Sequence, residues 1–384
     1  MIDEARRLAP RFTARAAETD RDGSFPAEDF ADLREAGFFG LMVPSRLGGA
    51  GAGFAEYADV AYELARGNGA TALIFNMHAS VTGALSGVSD ELADALGLPP
   101  EALAARDDYL KAAAGGSWYA VAMSERGVGS RLSRMSTTYR PVDGGYRITG
   151  AKTFCSGAGH ADAYLVAARN PDDPTQVSQF LVPAGPGLRV EQTWDALGMR
   201  ATGSHDLHID VTVPSSALLG GVEGLALVVA QLAPHWMVAS YAAVYVGVAR
   251  AAVDAAVEHV TARGLGGLPA VRARIGRADA AVAAAHLAVR EAARRVDEAP
   301  GDSETTRWVW RAKLLAGTTA AEVAASMLEA AGTSAMRRGH PLERLYRDAR
   351  AGSLQPATSD VCADWLGVDA LGGDPDSDGV APRW

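Results

Sequence analysis

The chain has 384 residues, a net charge of −10, 48% hydrophobic and 21% charged residues, which suits two or three packed subdomains rather than one minimal core. The acidic balance, with no Lys/Arg-rich run, excludes the basic face of a nucleic-acid binder. Only two cysteines, Cys155 and Cys362, exclude a disulfide framework or a cysteine-built zinc site, and they point to a reduced, cytoplasmic setting with no metal.

Residues 1–118 read as a helical domain. The first twenty residues are charged throughout and lack the apolar core of a signal peptide. Phe25-Pro26-Ala27-Glu28 places a proline near a first helical turn with acidic residues after it. Gly48-Gly49-Ala50-Gly51 breaks the pattern, and helices resume over Tyr57–Arg66 and Ala70–Leu85.

Residues 119–214 change to short apolar runs between turn residues and read as an antiparallel β domain. Asp143-Gly144-Gly145, between Thr137–Arg140 and Tyr146–Thr149, is a hairpin signal. Tyr164–Ala168, Gln179–Val182 and Leu207–Val213 are further strands. Residues 215–372 return to Ala-rich helices. Ala226–Val248 comes nearest to a membrane span, but Gln231, Pro234 and His235 interrupt it, so it reads as a buried core helix. From Ile275 to Val296, apolar residues recur at alternating three- and four-residue steps, the seam of a tight helical bundle. Pro300-Gly301-Asp302 ends that helix and Glu304–Ala331 forms the next, while the polar segment 373–384 reads as a flexible tail. The class is therefore α+β with three subdomains.

Four segments occur in an order that resembles the acyl-CoA dehydrogenase superfamily. They are FFGLMVPSRLGGAG (Phe38–Gly51), the stretch from AMSERGVGS through TGAKTFCSGAGHADAYLVAAR (Ala122–Arg169), WDALGMRATGSHDLHIDVTVP (Trp194–Pro214) and HPLERLYRDAR (His340–Arg350). The resemblance implies an N-terminal helical domain, a middle β domain, a C-terminal four-helix bundle and noncovalent FAD. It matches Ser124 to a residue contacting the flavin ring, Gly129 and Ser130 to a loop near the pyrophosphate, Phe154 to an aromatic packed on the flavin, and Ser156 to a hydroxyl donating to its N5. Glycine-rich loops suit phosphate because backbone N–H groups can approach closely.

The resemblance also implies residues that reach across a homodimer or homotetramer interface to the FAD of a partner. Arg263 fits that pattern, but Gly264-Leu265-Gly266-Gly267 replaces its aromatic portion. Glu329 stands where a glutamine is common, Gly332-Thr333 replaces a double glycine, and Thr358 and Asp360 match positions near the adenosine.

Pro356 matches the glutamate that usually removes the substrate's α-proton. Proline supplies neither that carboxylate nor a backbone N–H to polarise the substrate carbonyl. The alternative glutamate position on an earlier helix corresponds to Met237. His78, His235 and Tyr241 are the substitute base candidates, the histidines because their intrinsic pKa suits proton transfer near neutrality. Three functions follow from the resemblance. The family's usual reaction implies dehydrogenation of an acyl thioester, carried by CoA or a carrier protein, with a relocated base. A monooxygenase or oxidase of the same fold, decarboxylative chemistry included, explains Pro356 better and implies a flavin-reductase or electron-transfer partner. A non-catalytic FAD-binding relative is the third.

Overall fold

The computed structural model describes residues 1–236 and 238–376; the alternative glutamate position at Met237 and residues 377–384 of the expected tail lie outside the described residues. The N-terminal layer contains α1 (Ile2–Asp22), α2 (Ala27–Glu35), α3 (Phe54–Gly67), α4 (Gly69–Ser86), α5 (Asp90–Ala95) and α6 (Pro100–Ala114). Ala5, Leu8, Phe12 and Ala16 recur on one face of α1 and are all buried, the pattern of a helix packed on one side. α4 is apolar nearly all round and buried nearly all round, and Asn68 caps its first turn by accepting from the Ala70 N–H.

A seven-stranded sheet follows: β1 (Tyr119–Ala122), β2 (Thr138–Val142), β3 (Gly145–Cys155), β4 (Ala163–Arg169), β5 (Val177–Pro183), β6 (Leu188–Glu191) and β7 (His205–Pro214), ordered β1-β4-β2-β3-β7-β6 with β5 on β4. The β2–β3 hairpin closes with Val142 opposite Gly145, and Gly144 turns the chain at φ 73°, where a side chain would be strained. β1 runs parallel to β4, and β2 touches β4 in parallel at Thr138 and Arg169; the remaining pairs are antiparallel. The short strands β1 and β6, four residues each, carry too little alternation to stand out in the sequence.

The C-terminal layer contains α7 (Ala226–Leu232), α8 (Ala239–Ala262), α9 (Pro269–Glu298), α10 (Ser303–Ala331), α11 (Pro341–Leu354) and α12 (Ser359–Ala370). The single helix expected over 226–248 is two, because Pro234 has no N–H for the ladder and begins a short 3₁₀ turn. The segment Pro234–Ala262 is long and apolar enough to cross a membrane, but 88% of its most apolar window is buried inside the protein. It serves as a core helix. α8, α9, α10 and α11 pack as a four-helix bundle with α12 against α10, and the α9 seam from Ala278 to Val296 is buried. Asp302 starts α10 by accepting from the Glu304 and Thr305 N–H groups. Before the chain leaves the described residues, the Trp365 indole N–H donates to Asp376 at 3.2 Å. α3 docks the N-terminal layer on α8 and α9, and α4 meets both β1 and α8. Where these three layers converge, a cavity remains.

Candidate functional site

The cavity has a volume of about 570 Å³, within the range of small-molecule and cofactor sites. α4 contributes Leu73, Met77 and Ser80; the sheet contributes Ser124, Phe154 and Ser156; the bundle contributes Tyr241, Gln355 and Pro356. Of the sequence-predicted residues, Ser124, Gly129, Ser130, Phe154, Ser156, Tyr241 and Pro356 all line this one space.

The sheet wall is built around a buried ion pair. Lys152 Nζ donates to Glu125 Oε1 at 2.8 Å, with side-chain exposures of 0% and 4%. Glu125 also accepts from the Ser136 N–H and hydroxyl, both at 2.6 Å, and from the Thr137 N–H at 3.0 Å. Burial pushes the Glu125 carboxyl up, but the Lys152 ammonium and these donors outweigh it and hold the group at about 2. Burial lowers the Lys152 ammonium from its usual value, and Glu125 opposes the shift. The Glu125 backbone exchanges hydrogen bonds with Gly129 in both directions at 2.9 Å, closing the loop that carries Gly127 and Gly129, both at positive φ. Glu125 and Lys152 therefore fix the loop that presents Ser124 and Ser130. Both lie inside the quoted motifs, yet sequence reasoning passed over them, since a pair 27 residues apart shows its contact only in three dimensions.

Phe154 sits at the irregularity between Lys152 and Cys155 in the β3–β7 register, with φ 57° and its side chain 60% exposed. An exposed aromatic in a left-handed conformation is strained and unprotected, and such outliers cluster at ligand sites. Its ring meets Trp194 edge-on at 6.0 Å. Ser156, buried, shares a hydrogen bond with Ser204 at 2.9 Å, and Ser204 with Thr202 at 2.7 Å, so a chain of hydroxyls ends at the cavity. Between Trp194 and Ser204 the chain is pinned elsewhere too. The Trp194 indole donates to the Met199 carbonyl (3.1 Å), and the Met199 N–H donates to Asp348 on α11 (2.6 Å).

The bundle wall is chemically sparser. Pro356 lies in it, half-buried, so the position of the usual glutamate offers no carboxylate. Tyr241 faces the cavity with only a 3.9 Å contact from its hydroxyl to Met77 Sδ, and burial raises its phenol to about 12. Arg347 also reaches the cavity but is engaged by Asp20 and Glu343. Gln355, which the sequence did not single out, accepts from the Tyr245 hydroxyl at 2.6 Å.

The two candidate histidine bases are elsewhere. His78 is 1% exposed, with Nε2 2.8 Å from the Phe39 carbonyl and Nδ1 accepting from the Tyr119 N–H at 3.0 Å. Both ring nitrogens are occupied, and burial lowers its pKa to about 4, so it is a structural neutral imidazole. His235 packs edge-on against Phe54 at 5.3 Å and is likewise lowered to about 4 by burial; its neighbour Trp236, not His235, lines the cavity. Neither histidine reaches the space where a substrate would sit. The residues expected to serve a partner's cofactor also lie outside the cavity. Arg263 is exposed at the end of α8, and Gly332 and Thr333 are exposed just after α10. Glu329 pairs with Arg274 at 2.6 Å, Thr358 caps α12 by accepting from the Val361 N–H, and Asp360 is exposed in that helix's first turn.

Two helical layers with a curled sheet between them, and a cavity at their junction, define the architecture of an acyl-CoA dehydrogenase. Models of that family's N-terminal, middle and C-terminal domains match residues 1–92, 120–212 and 239–359. The chain belongs to the acyl-CoA dehydrogenase family, and it is an oxidoreductase of that flavoprotein kind. It is 31% identical to a putative acyl-CoA dehydrogenase, YdbM, of Bacillus subtilis (strain 168), over 96% of each chain. It is 31% identical to an L-evernosamine nitrososynthase of Micromonospora sp., over 100% of this chain and 92% of the other. Among solved structures, FMN-bound TdsC from Paenibacillus sp. A11-2, a dibenzothiophene monooxygenase, is similar with a TM-score of 0.84 and 26% identity over 97% of each chain.

Proposed function

We propose that the chain is a flavin-dependent monooxygenase acting on a small, largely apolar organic molecule. The observation that carries this reading is the cavity wall, whose described lining residues include no Asp, Glu or His. Dehydrogenation between Cα and Cβ of a thioester needs a base within reach of the α-proton. Among the described lining residues the only titratable oxygen is the Tyr241 phenol, raised to about 12 and protonated near neutrality. Monooxygenation needs no such base. A TdsC structure and a nitrososynthase among the relatives support the same direction, whereas YdbM bears a dehydrogenase name.

The residues present suit a flavin. Ser124, the Gly129–Ser130 loop, Phe154 and Ser156 offer polar contacts, a glycine turn for a phosphate, an exposed aromatic face and a hydroxyl. These address the ring and first phosphate, which FMN and FAD share; FAD is the form the family resemblance implies, and FMN is the form in the TdsC structure. In the reading proposed here, Arg263, Glu329, Gly332, Thr333, Thr358 and Asp360 act at a homo-oligomer interface toward a partner's flavin. A reduced flavin held there would supply two electrons which, with two protons, take one atom of O₂ to water while the other enters the substrate, and a flavin reductase would restore the electrons. The chain's own contribution is positional. Leu73, Met77 and Trp236 exclude water, and because the Thr202 hydroxyl donates to the Met199 carbonyl at 2.9 Å, the chain runs from Ser156 to Ser204 to Thr202 and leaves the Ser156 oxygen facing the cavity as an acceptor.

The test is a pair of reactions with the flavin-loaded protein. Reduced flavin, oxygen and a panel of sulfur heterocycles and amines should give an oxygenated product that carries label from ¹⁸O₂. Anaerobic bleaching of the flavin by a saturated acyl thioester, without oxygenated product, would overturn the reading in favour of the dehydrogenase.

A further inference from the structure

Lys313, on α10, has no exposed surface, and its described partners are all backbone carbonyls. Its ammonium donates to Gly352 at 2.9 Å, Gln355 at 3.2 Å and Ala357 at 2.8 Å. Three donors thus meet three acceptors. Gly352 belongs to the last turn of α11, whose carbonyls lack intrahelical partners and carry partial negative charge. Gln355 and Ala357 flank Pro356 in the strap between α11 and α12. Burial lowers the Lys313 ammonium to about 8, which leaves it charged at neutral pH.

The strap is clamped from two more directions. A Cβ on Gly317, one turn beyond Lys313, would lie 2.7 Å from the Gly352 oxygen, and a Cβ on Gly352 would lie 2.8 Å from the Tyr245 ring. These helices meet closely only because both positions are glycine. Tyr245 in turn donates to Gln355 Oε1 at 2.6 Å. Tyr245 fixes the Oε1 end of the amide, the N–H₂ is the donor that Gln355 can offer a ligand, and Gln355 lines the cavity beside Pro356, which has no N–H.

We propose that Lys313 and Tyr245 are positioning residues that hold the strap so that Gln355 donates its amide N–H to an acceptor oxygen on the substrate. The preferred substrate class is then an apolar, ring-sized molecule bearing a carbonyl or comparable oxygen. This rests on the monooxygenase reading for its chemistry, but the donor can be tested by binding alone. Trp194 and Trp236 line the same cavity, so their fluorescence reports occupancy with or without flavin.

Acetophenone and its carbonyl-free counterpart ethylbenzene are suitable probes. Wild type should bind acetophenone about tenfold more tightly than ethylbenzene once their different hydrophobicities are corrected with a water–octanol reference. Gln355→Leu should abolish that preference, and Gln355→Glu, which keeps the shape but has no donor when ionised, should abolish it too. Tyr245→Phe should reduce it, and Lys313→Met should reduce it while speeding hydrogen exchange of the 355–361 amides. Equal corrected affinities in wild type, or an undiminished preference in Gln355→Leu, would overturn the proposal. Should Lys313→Met fail to fold, the Gln355 and Tyr245 variants still decide it. A protein that binds no flavin yet keeps the acetophenone preference would end the monooxygenase reading and leave the donor standing.

Discussion

The sheet wall and the bundle wall of the cavity each rest on a buried lysine, and the two are held in different ways. Lys152 supports the sheet wall through a carboxylate, Glu125, and the pair fixes a glycine loop. Lys313 supports the bundle wall through three carbonyls and fixes a strap. Charge paired with charge in a dry interior is rigid but unforgiving, because removing one partner strands the other. Charge held by carbonyls spreads the load over several bonds that can be lost one at a time. The wall proposed to hold the invariant part of a flavin thus has the stiffer support, and the wall proposed to meet the substrate has the adjustable one.

The largest expected effect breaks the stiff side. Glu125→Gln should cost about 3–5 kcal/mol in urea unfolding by leaving the Lys152 ammonium unpaired, and Glu125→Gln with Lys152→Met should recover part of it. Equal losses in the single and double variants would show that the ion pair is not what fixes this wall. Next come the buried histidines behind the cavity. His78 and His235 are both depressed from 6.5 to about 4, so the stability they contribute is complete above pH 6.5 and is lost as pH falls through 4. Each should contribute about 3 kcal/mol of that loss, and His78→Gln should show a correspondingly flatter stability profile over this interval. A wild-type profile no steeper than the variant's would contradict a neutral His78.

Phe154→Gly sharpens the comparison on the sheet side. Releasing the φ 57° strain should raise stability by about 1 kcal/mol, while flavin affinity drops because the exposed ring is gone. Unchanged flavin affinity would remove Phe154 from the site. The smallest effect belongs to the strap: Thr358→Ala should cost about 1 kcal/mol or less, the worth of one helix cap, measured by thermal unfolding.

The sequence made the fold legible because its signals were local. The Asp143–Gly145 hairpin, the proline-glycine break after α9 and the alternating α9 seam each depend on neighbours within a turn or two. The cavity-lining residues of the sheet wall were legible for the same reason, since Ser124 to Ser130 and Phe154 to Ser156 are contiguous segments. Pro356 could be read as a missing base, but the surroundings of the candidate substitutes could not be read. His78 looks free in the sequence and is silenced by Tyr119, 41 residues on. Lys313 looks like an ordinary helix lysine until α11 returns to it 39 residues later. Contacts of that kind follow from topology, and residue order does not display them.

The segment from Leu197 to Arg200 has a consequence for how the chain melts. Arg200 reaches the Asp20 carbonyl at the end of α1, Arg347 of α11 grips both the Asp20 carboxylate and the Leu197 carbonyl, and Asp348 holds the Met199 N–H. Gly198 lies so close to α11 that a Cβ would sit 2.2 Å from the Arg347 oxygen. One short stretch therefore laces the first helix, the sheet and the bundle into a single knot. The three layers should unfold together, as one calorimetric peak, and Arg347→Ala should split that peak by letting them come apart separately.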